Sequence, residues 1–230
     1  MKSNAEMLQT VCDGLGDLRE DVVFVGGAVT FLYCENPASE RMRPTDDVDC
    51  VINMCTYGKY TDFMSKLRAK GFKDDMSDEQ ASLCRLIYES IKVDIMSTEE
   101  GALGFTNKWY RSGINQSITK TLPSGSTVKV LSLPFYLASK IEAYKSRGNG
   151  DARFSHDIED CIAILDSIKN LPSGLESGED VHKFLKNEFS FLMRDETFTD
   201  ALHGFFSVSS TITKARVSRI LQIMSNYCKL

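Results

Sequence analysis

Two carboxylates, Asp47 and Asp49, stand two residues apart in the stretch Thr45-Asp46-Asp47-Val48-Asp49-Cys50-Val51-Ile52-Asn53-Met54. The apolar run Cys50-Val51-Ile52 gives this stretch the composition of a strand. Side chains of a strand alternate between faces, so Asp47 and Asp49 point one way and Val48 the other. The same alternation turns Asp46 away from the pair. Neighbouring carboxylates repel one another and resist desolvation. A hard divalent cation such as Mg²⁺ relieves both penalties, because carboxylate oxygens are the ligands it prefers. The pair therefore predicts a metal site. By itself an Asp-x-Asp is a weak signal, since acidic pairs also decorate solvated strands. The apolar flank argues against full exposure here.

The elements that must position this pair surround it in the sequence. Val22 to Val25 is an apolar strand, stopped by Gly26 and Gly27 and followed by a short apolar helix from Ala28 to Tyr33. Ahead of it, Met7, Leu8, Val11, Cys12 and Leu15 recur at helical spacing within Asn4–Leu18. Tyr57 to Lys70 predicts a helix ended by Gly71, and Asp74 to Glu79 an acidic turn. Ser82–Tyr88 and Ile91–Met96 form a hairpin joined through Glu89 and Ser90, with Asp94 facing away from Val93 and Ile95. Glu99–Trp109 is a short helix or a loop. Ile114–Leu122 and Thr127–Leu131 flank Pro123-Ser124-Gly125-Ser126, a strong turn.

The character changes at Leu133-Pro134. Pro134 suits the first turn of a helix over Phe135–Arg147, and Gly148-Asn149-Gly150 breaks the chain. Ser155 predicts the N-cap of a helix reaching Lys169, Leu171-Pro172-Ser173-Gly174 a linker, and Ser177–Leu230 two or three helices. The expected architecture is α+β, with a mixed sheet and flanking helices over residues 1–132 and a helical C-terminal module over 133–230.

Composition narrows the classes. The chain has 230 residues, 42% hydrophobic and 26% charged, which is enough apolar material for a core. No apolar run is long enough to span a bilayer, and the N-terminal residues lack a secretory apolar region, so the expected compartment is the cytoplasm, without membrane association. The 7 cysteines are scattered with no C-x-x-C pair, which predicts reduced, buried thiols. None of the 3 histidines has metal-ligand spacing to a cysteine, which disfavours zinc. A net charge of −5 means that any nucleic-acid contact must use a local basic surface, for which Arg41 and Arg43, Lys66–Lys73 and Lys140–Arg153 are the available pieces.

The combination of Gly26-Gly27, a gap, then Thr45-Asp46-Asp47-Val48-Asp49 resembles the DNA polymerase beta-like nucleotidyltransferase superfamily, and Lys92-Val93-Asp94-Ile95-Met96 fits the slot of that superfamily's third carboxylate. Leu137-Ala138-Ser139-Lys140-Ile141-Glu142-Ala143 and Arg153-Phe154-Ser155-His156-Asp157-Ile158-Glu159-Asp160 are similar to the lysine segment and the R-x-x-x-D-x-x-D element of AbiEii-type nucleotidyltransferases, a group that includes toxins of toxin–antitoxin and phage-defence systems. The resemblance covers Val22 to Leu165. Each piece is weak alone, whereas their order and spacing together are specific.

The resemblance implies transfer of an NMP from an NTP, ATP among them, to an acceptor that is RNA such as tRNA, a protein or a small molecule, and it brings an antitoxin protein into view as a partner. Asp47, Asp49 and Asp94 would be catalytic and hold two Mg²⁺ ions, with Mn²⁺ as a substitute. Gly26 and Gly27 would let phosphates approach backbone N–H groups, and Thr45 would orient the loop or touch phosphate. Lys140 would face the triphosphate, while Asp157 and Asp160, at i and i+3, would either hold Lys140 or contact sugar and base. The alternative is a non-catalytic nucleotide- or partner-binding protein on the same fold. For Lys140, Asp157 and Asp160 an ion pair between helices competes with a direct role.

Overall fold

The computed structural model describes residues 2–35, 43–53, 56–76, 83–99, 106–147, 150–172, 178–206 and 211–230. Packing divides the chain into two units, Met1–Leu32 with Arg43–Ser132, and Leu133–Leu230 with Tyr33–Met42.

The first unit is α+β and is built on one mixed sheet. Its strands are β1 (Val22–Val25), β2 (Asp47–Ile52), β3 (Lys73–Asp74), β4 (Arg85–Tyr88), β5 (Ile91–Ser97), β6 (Ile118–Thr121) and β7 (Thr127–Val130). Their order is β3-β4-β5-β2-β1-β7-β6. β2 runs parallel to β5 and antiparallel to β1, while β1 runs parallel to β7. All four residues of β1 are buried, as their unbroken apolar sequence requires. Burial of each such side chain contributes about 1.5–3 kcal/mol.

Helix α1 (Asn4–Leu15) lies against β2 and β5 and buries Met7, Leu8, Val11, Cys12 and Leu15. It starts with a capping box, in which the Ser3 hydroxyl accepts from the Glu6 N–H and the Glu6 carboxylate accepts from the Ser3 N–H at 2.7 Å. Helix α2 (Tyr57–Ala69), capped by Thr56, buries Tyr60, Phe63, Met64 and Leu67. The Tyr60 hydroxyl donates to the Ile95 carbonyl of β5 at 2.8 Å, tying α2 to the strand that carries Asp94. A short helix α3 (Tyr110–Ile114) precedes β6.

Element boundaries differ from the sequence expectation by a few residues, most of all at the strand expected from Ile114. Ile114 closes α3, and the strand begins only at Ile118. The short helix after Gly26 is a 3-10 helix, Gly27–Tyr33. Its Thr30 hydroxyl donates to the Gly27 carbonyl three residues back at 2.9 Å, a side-chain bond that competes for an acceptor an α-helix would use. The hairpin expected through Glu89 and Ser90 is present, with both residues at positive φ, 44° and 68°, as a two-residue turn demands.

The second unit is helical among its described residues, with α4 (Leu133–Ser146), α5 (His156–Ser167), α6 (Glu179–Leu192), α7 (Glu196–Phe205) and α8 (Thr211–Lys229). α5 starts at the expected N-cap, where the Ser155 hydroxyl accepts from the Ile158 N–H. α4 packs on α5 and α6, and α8 on α5, α6 and α7. Asp166 of α5 is fully buried and accepts from Arg216 and Arg219 of α8, which fixes the α5–α8 pair. Tyr33 stacks at a tilt on Tyr136 of α4, with ring centroids 4.4 Å apart.

Among the described residues no helix is long and apolar enough to cross a membrane. The described cysteines, Cys12, Cys34, Cys50, Cys84, Cys161 and Cys228, are unbridged, and all but Cys228 are buried. Arg41 lies outside the described residues, as do parts of the Asp74–Glu79 turn, Glu99–Trp109, the Gly148–Gly150 break and the Leu171–Gly174 linker.

Candidate metal centre

The parallel pairing of β2 with β5 decides the geometry. Its register places Asp49 directly across from Asp94. Asp47 shares the face of Asp49, two residues earlier on β2. One carboxylate oxygen from each of Asp47, Asp49 and Asp94 lies within 4.8 Å of the others. All three side chains are partly buried, Asp94 most deeply at 13% exposed against 34% for Asp47. Like charges placed opposite one another on adjacent strands destabilise a sheet, so this cluster needs a compensating cation. The donor set is oxygen only and suits Mg²⁺, Mn²⁺ or Ca²⁺ better than zinc. The triad could thus hold a metal ion. Asp46, just before β2, is exposed.

β1 supplies the wall of this site. Val25 pairs with Asp49, so Gly26 leaves the sheet directly beside the Asp49 carboxylate. Gly26 has φ +70°, and a Cβ built on it would lie 1.9 Å from Asp49 Oδ2. The space that the missing side chain leaves is therefore filled by the carboxylate itself. Gly26→Ala combines a left-handed backbone with this clash and is expected to lower stability by about 2 kcal/mol or more. Chemical denaturation checks this, and an unchanged midpoint would mean that the turn relaxes freely.

Thr45 lies just before β2. Its hydroxyl donates to Asp47 Oδ1 at 2.7 Å, and its N–H donates to Asn4 Oδ1 at 3.3 Å. Asn4 in turn donates to the Arg43 carbonyl at 3.1 Å. The N-terminus of α1 thereby holds the approach to β2, and Thr45 aims Asp47. Gly27 opens the 3-10 helix and gives its carbonyl to Thr30.

One residue of the site escaped the sequence reading. Arg85 of β4 pairs in register with Asp94. Its Nε donates to Asp94 Oδ1 at 2.8 Å and its Nη2 to Oδ2 at 2.7 Å, a two-pronged fork. Nη2 also lies 3.9 Å from Asp47 Oδ2. The hydrogen bonds to Asp94 hold the guanidinium well above its ordinary value. The signal was in the hairpin: a two-residue turn at Glu89-Ser90 pairs Tyr88 with Ile91, and counting outward pairs Arg85 with Asp94. Cys50, next to Asp49 on β2 and turned to the other face, is fully buried, and burial with the charges of Asp49 and Asp94 pushes its thiol up, so it remains protonated.

The other expected residues form a separate cluster inside the second unit. Lys140 of α4 donates to Asp160 Oδ2 at 2.6 Å and Asp157 Oδ1 at 3.2 Å. Asp157 also meets Arg147 at 3.0 Å, and the Lys140 ammonium sits 5.9 Å from the Tyr136 ring centre. Lys140, Asp157 and Asp160 are all buried. Asp157 and Asp160 thus do hold Lys140, one of the two roles left open by their spacing. No family model matches the sequence, and no curated protein matches it significantly.

Proposed function

We propose that the chain is a metal-dependent nucleotidyltransferase that moves an NMP from an NTP to an acceptor hydroxyl and releases pyrophosphate. The observation that carries this reading is the convergence of Asp47, Asp49 and Asp94 from two parallel strands beside Gly26. A mixed sheet bearing the triad, of seven strands among the described residues, is compatible with a nucleotidyltransferase-type core followed by a helical domain. Mg²⁺ bound there would act as a Lewis acid on the phosphates and lower the pKa of the attacking hydroxyl. The protein's own part is positional. Thr45 aims Asp47, Gly26 makes room for Asp49, and the β5 register sets Asp94 opposite. An Asp94 oxygen is the proposed acceptor for the hydroxyl proton. Lys140, with its ammonium on two buried carboxylates, takes the part of a structural counter-ion in this scheme.

One observation favours a second reading. The Arg85 fork already supplies a cation to Asp94, which a non-catalytic nucleotide- or partner-binding protein on the same fold could use as a permanent substitute for metal.

A transfer assay separates the two. The purified protein is incubated with each α-labelled NTP, Mg²⁺ or Mn²⁺, and total cellular RNA, with Asp47→Asn as control. Label in RNA that depends on Asp47 supports an RNA-directed enzyme of the toxin kind, and label on protein moves the acceptor to a protein hydroxyl. Nucleotide binding without transfer to RNA, protein or small-molecule acceptors would support the second reading.

A further inference from the structure

We propose that Arg85 is a resident counter-cation that competes with the divalent ion for Asp94, so that the metal-free site is held closed and binds metal weakly until the fork is released. The inference rests on the metal-centre reading above and adds a gate to that site. Both oxygens of Asp94 accept from one guanidinium, at 2.8 and 2.7 Å. Each oxygen keeps a further lone pair, so an ion that binds Asp94 either shares the carboxylate with the guanidinium or displaces one of its bonds, and in both cases it meets a carboxylate whose charge is already offset. The same guanidinium reaches to 3.9 Å from Asp47, so its charge bears on two of the three ligands. A divalent ion arriving at the three carboxylates meets direct repulsion from the Arg85 guanidinium at short range. The contact is built into the fold. β4 and β5 pair antiparallel across a two-residue turn, and Arg85 and Asp94 are register partners with side chains only 25% and 13% exposed. A planar fork fits a carboxylate in a way that a lysine ammonium does not.

The test is metal binding to the full chain, measured without nucleotide. Mn²⁺ is titrated calorimetrically into the natural protein, Arg85→Gln, Arg85→Lys and Asp49→Asn, each first shown to be folded by circular dichroism. Arg85→Gln is expected to bind Mn²⁺ at least about tenfold more tightly than the natural protein, because removing the cation lifts both competition and repulsion. Arg85→Lys, which keeps the charge and loses the fork, should fall between them. If Arg85→Gln does not fold, tighter binding by Arg85→Lys alone carries the proposal. A folded Arg85→Gln or Arg85→Lys variant whose affinity is unchanged or weaker would overturn it, and Arg85 would then be a residue that positions Asp94 for the ion. Asp49→Asn separates the two levels. Binding that Asp49 controls but Arg85 does not leaves the metal centre standing without its gate. Absence of Mn²⁺ binding in the natural protein and in every variant removes both.

Discussion

Replacing Lys140 with methionine is expected to destabilise the second unit by about 3–5 kcal/mol, the effect of stranding buried carboxylates without their cation. Lys140, Asp157 and Asp160 are all buried, and the ammonium bonds both acids across the α4–α5 contact. Methionine fills a similar volume, so the loss would be electrostatic and not a cavity effect. For a unit of this size the melting temperature should fall by roughly 10 °C or more. The double variant Lys140→Met with Asp160→Asn should recover part of the loss, because it removes the carboxylate nearest the missing ammonium, while Asp157 still has Arg147 at 3.0 Å. A loss below about 1 kcal/mol for Lys140→Met would place the cluster among ordinary exposed ion pairs and remove its scaffold role.

That cluster also shows where sequence reasoning reached and where it stopped. The i, i+3 spacing of Asp157 and Asp160 put both on one helix face, and the lysine segment lay on the preceding helix, so an ion pair was legible. Its burial was not, because a helical period says which residues share a face but not what covers that face. The same limit applies to Asp94. Alternation gave its face on β5, yet its place opposite Asp49 depends on β5 pairing parallel with β2, a contact between segments far apart in sequence. Only the family resemblance bridged that gap.

Arg85 is the reverse case. Its pairing was local and countable from the Glu89-Ser90 turn, but attention to acidic residues passed over the base opposite one of them. The short helix expected over Ala28–Tyr33 is present as a 3-10 helix, Gly27–Tyr33, in which the Thr30 hydroxyl bonds the Gly27 carbonyl. Gly26 and Gly27 were expected to let phosphates approach backbone N–H groups. The structure adds a separate demand for glycine at position 26, since a Cβ there would meet the Asp49 carboxylate.

On the nucleotidyltransferase reading proposed above, Asp49→Asn is expected to abolish metal-dependent stabilisation and transfer while leaving the metal-free protein at least as stable as before. The two halves have one cause. Asp49 faces Asp94 across β2 and β5, with Asp47 beside it, so an amide at this position lowers the number of clustered negative charges. An asparagine matches the carboxylate in shape and fits the space beside Gly26. In the natural protein a saturating divalent ion, at about a hundred times its dissociation constant, should add about 2.7 kcal/mol of stability. In Asp49→Asn that increment should vanish, and turnover should fall at least about a hundredfold, since metal charge stabilisation contributes several kcal/mol. Thermal melts with and without Mn²⁺, beside the transfer assay, measure both halves. A variant that melts lower without metal would show Asp49 to be a structural acid. One that keeps both its metal response and its turnover would take Asp49 out of the site. The predicted combination, a metal-free protein made no weaker by losing an acid that its activity requires, is what a charge cluster kept for function and not for folding should display.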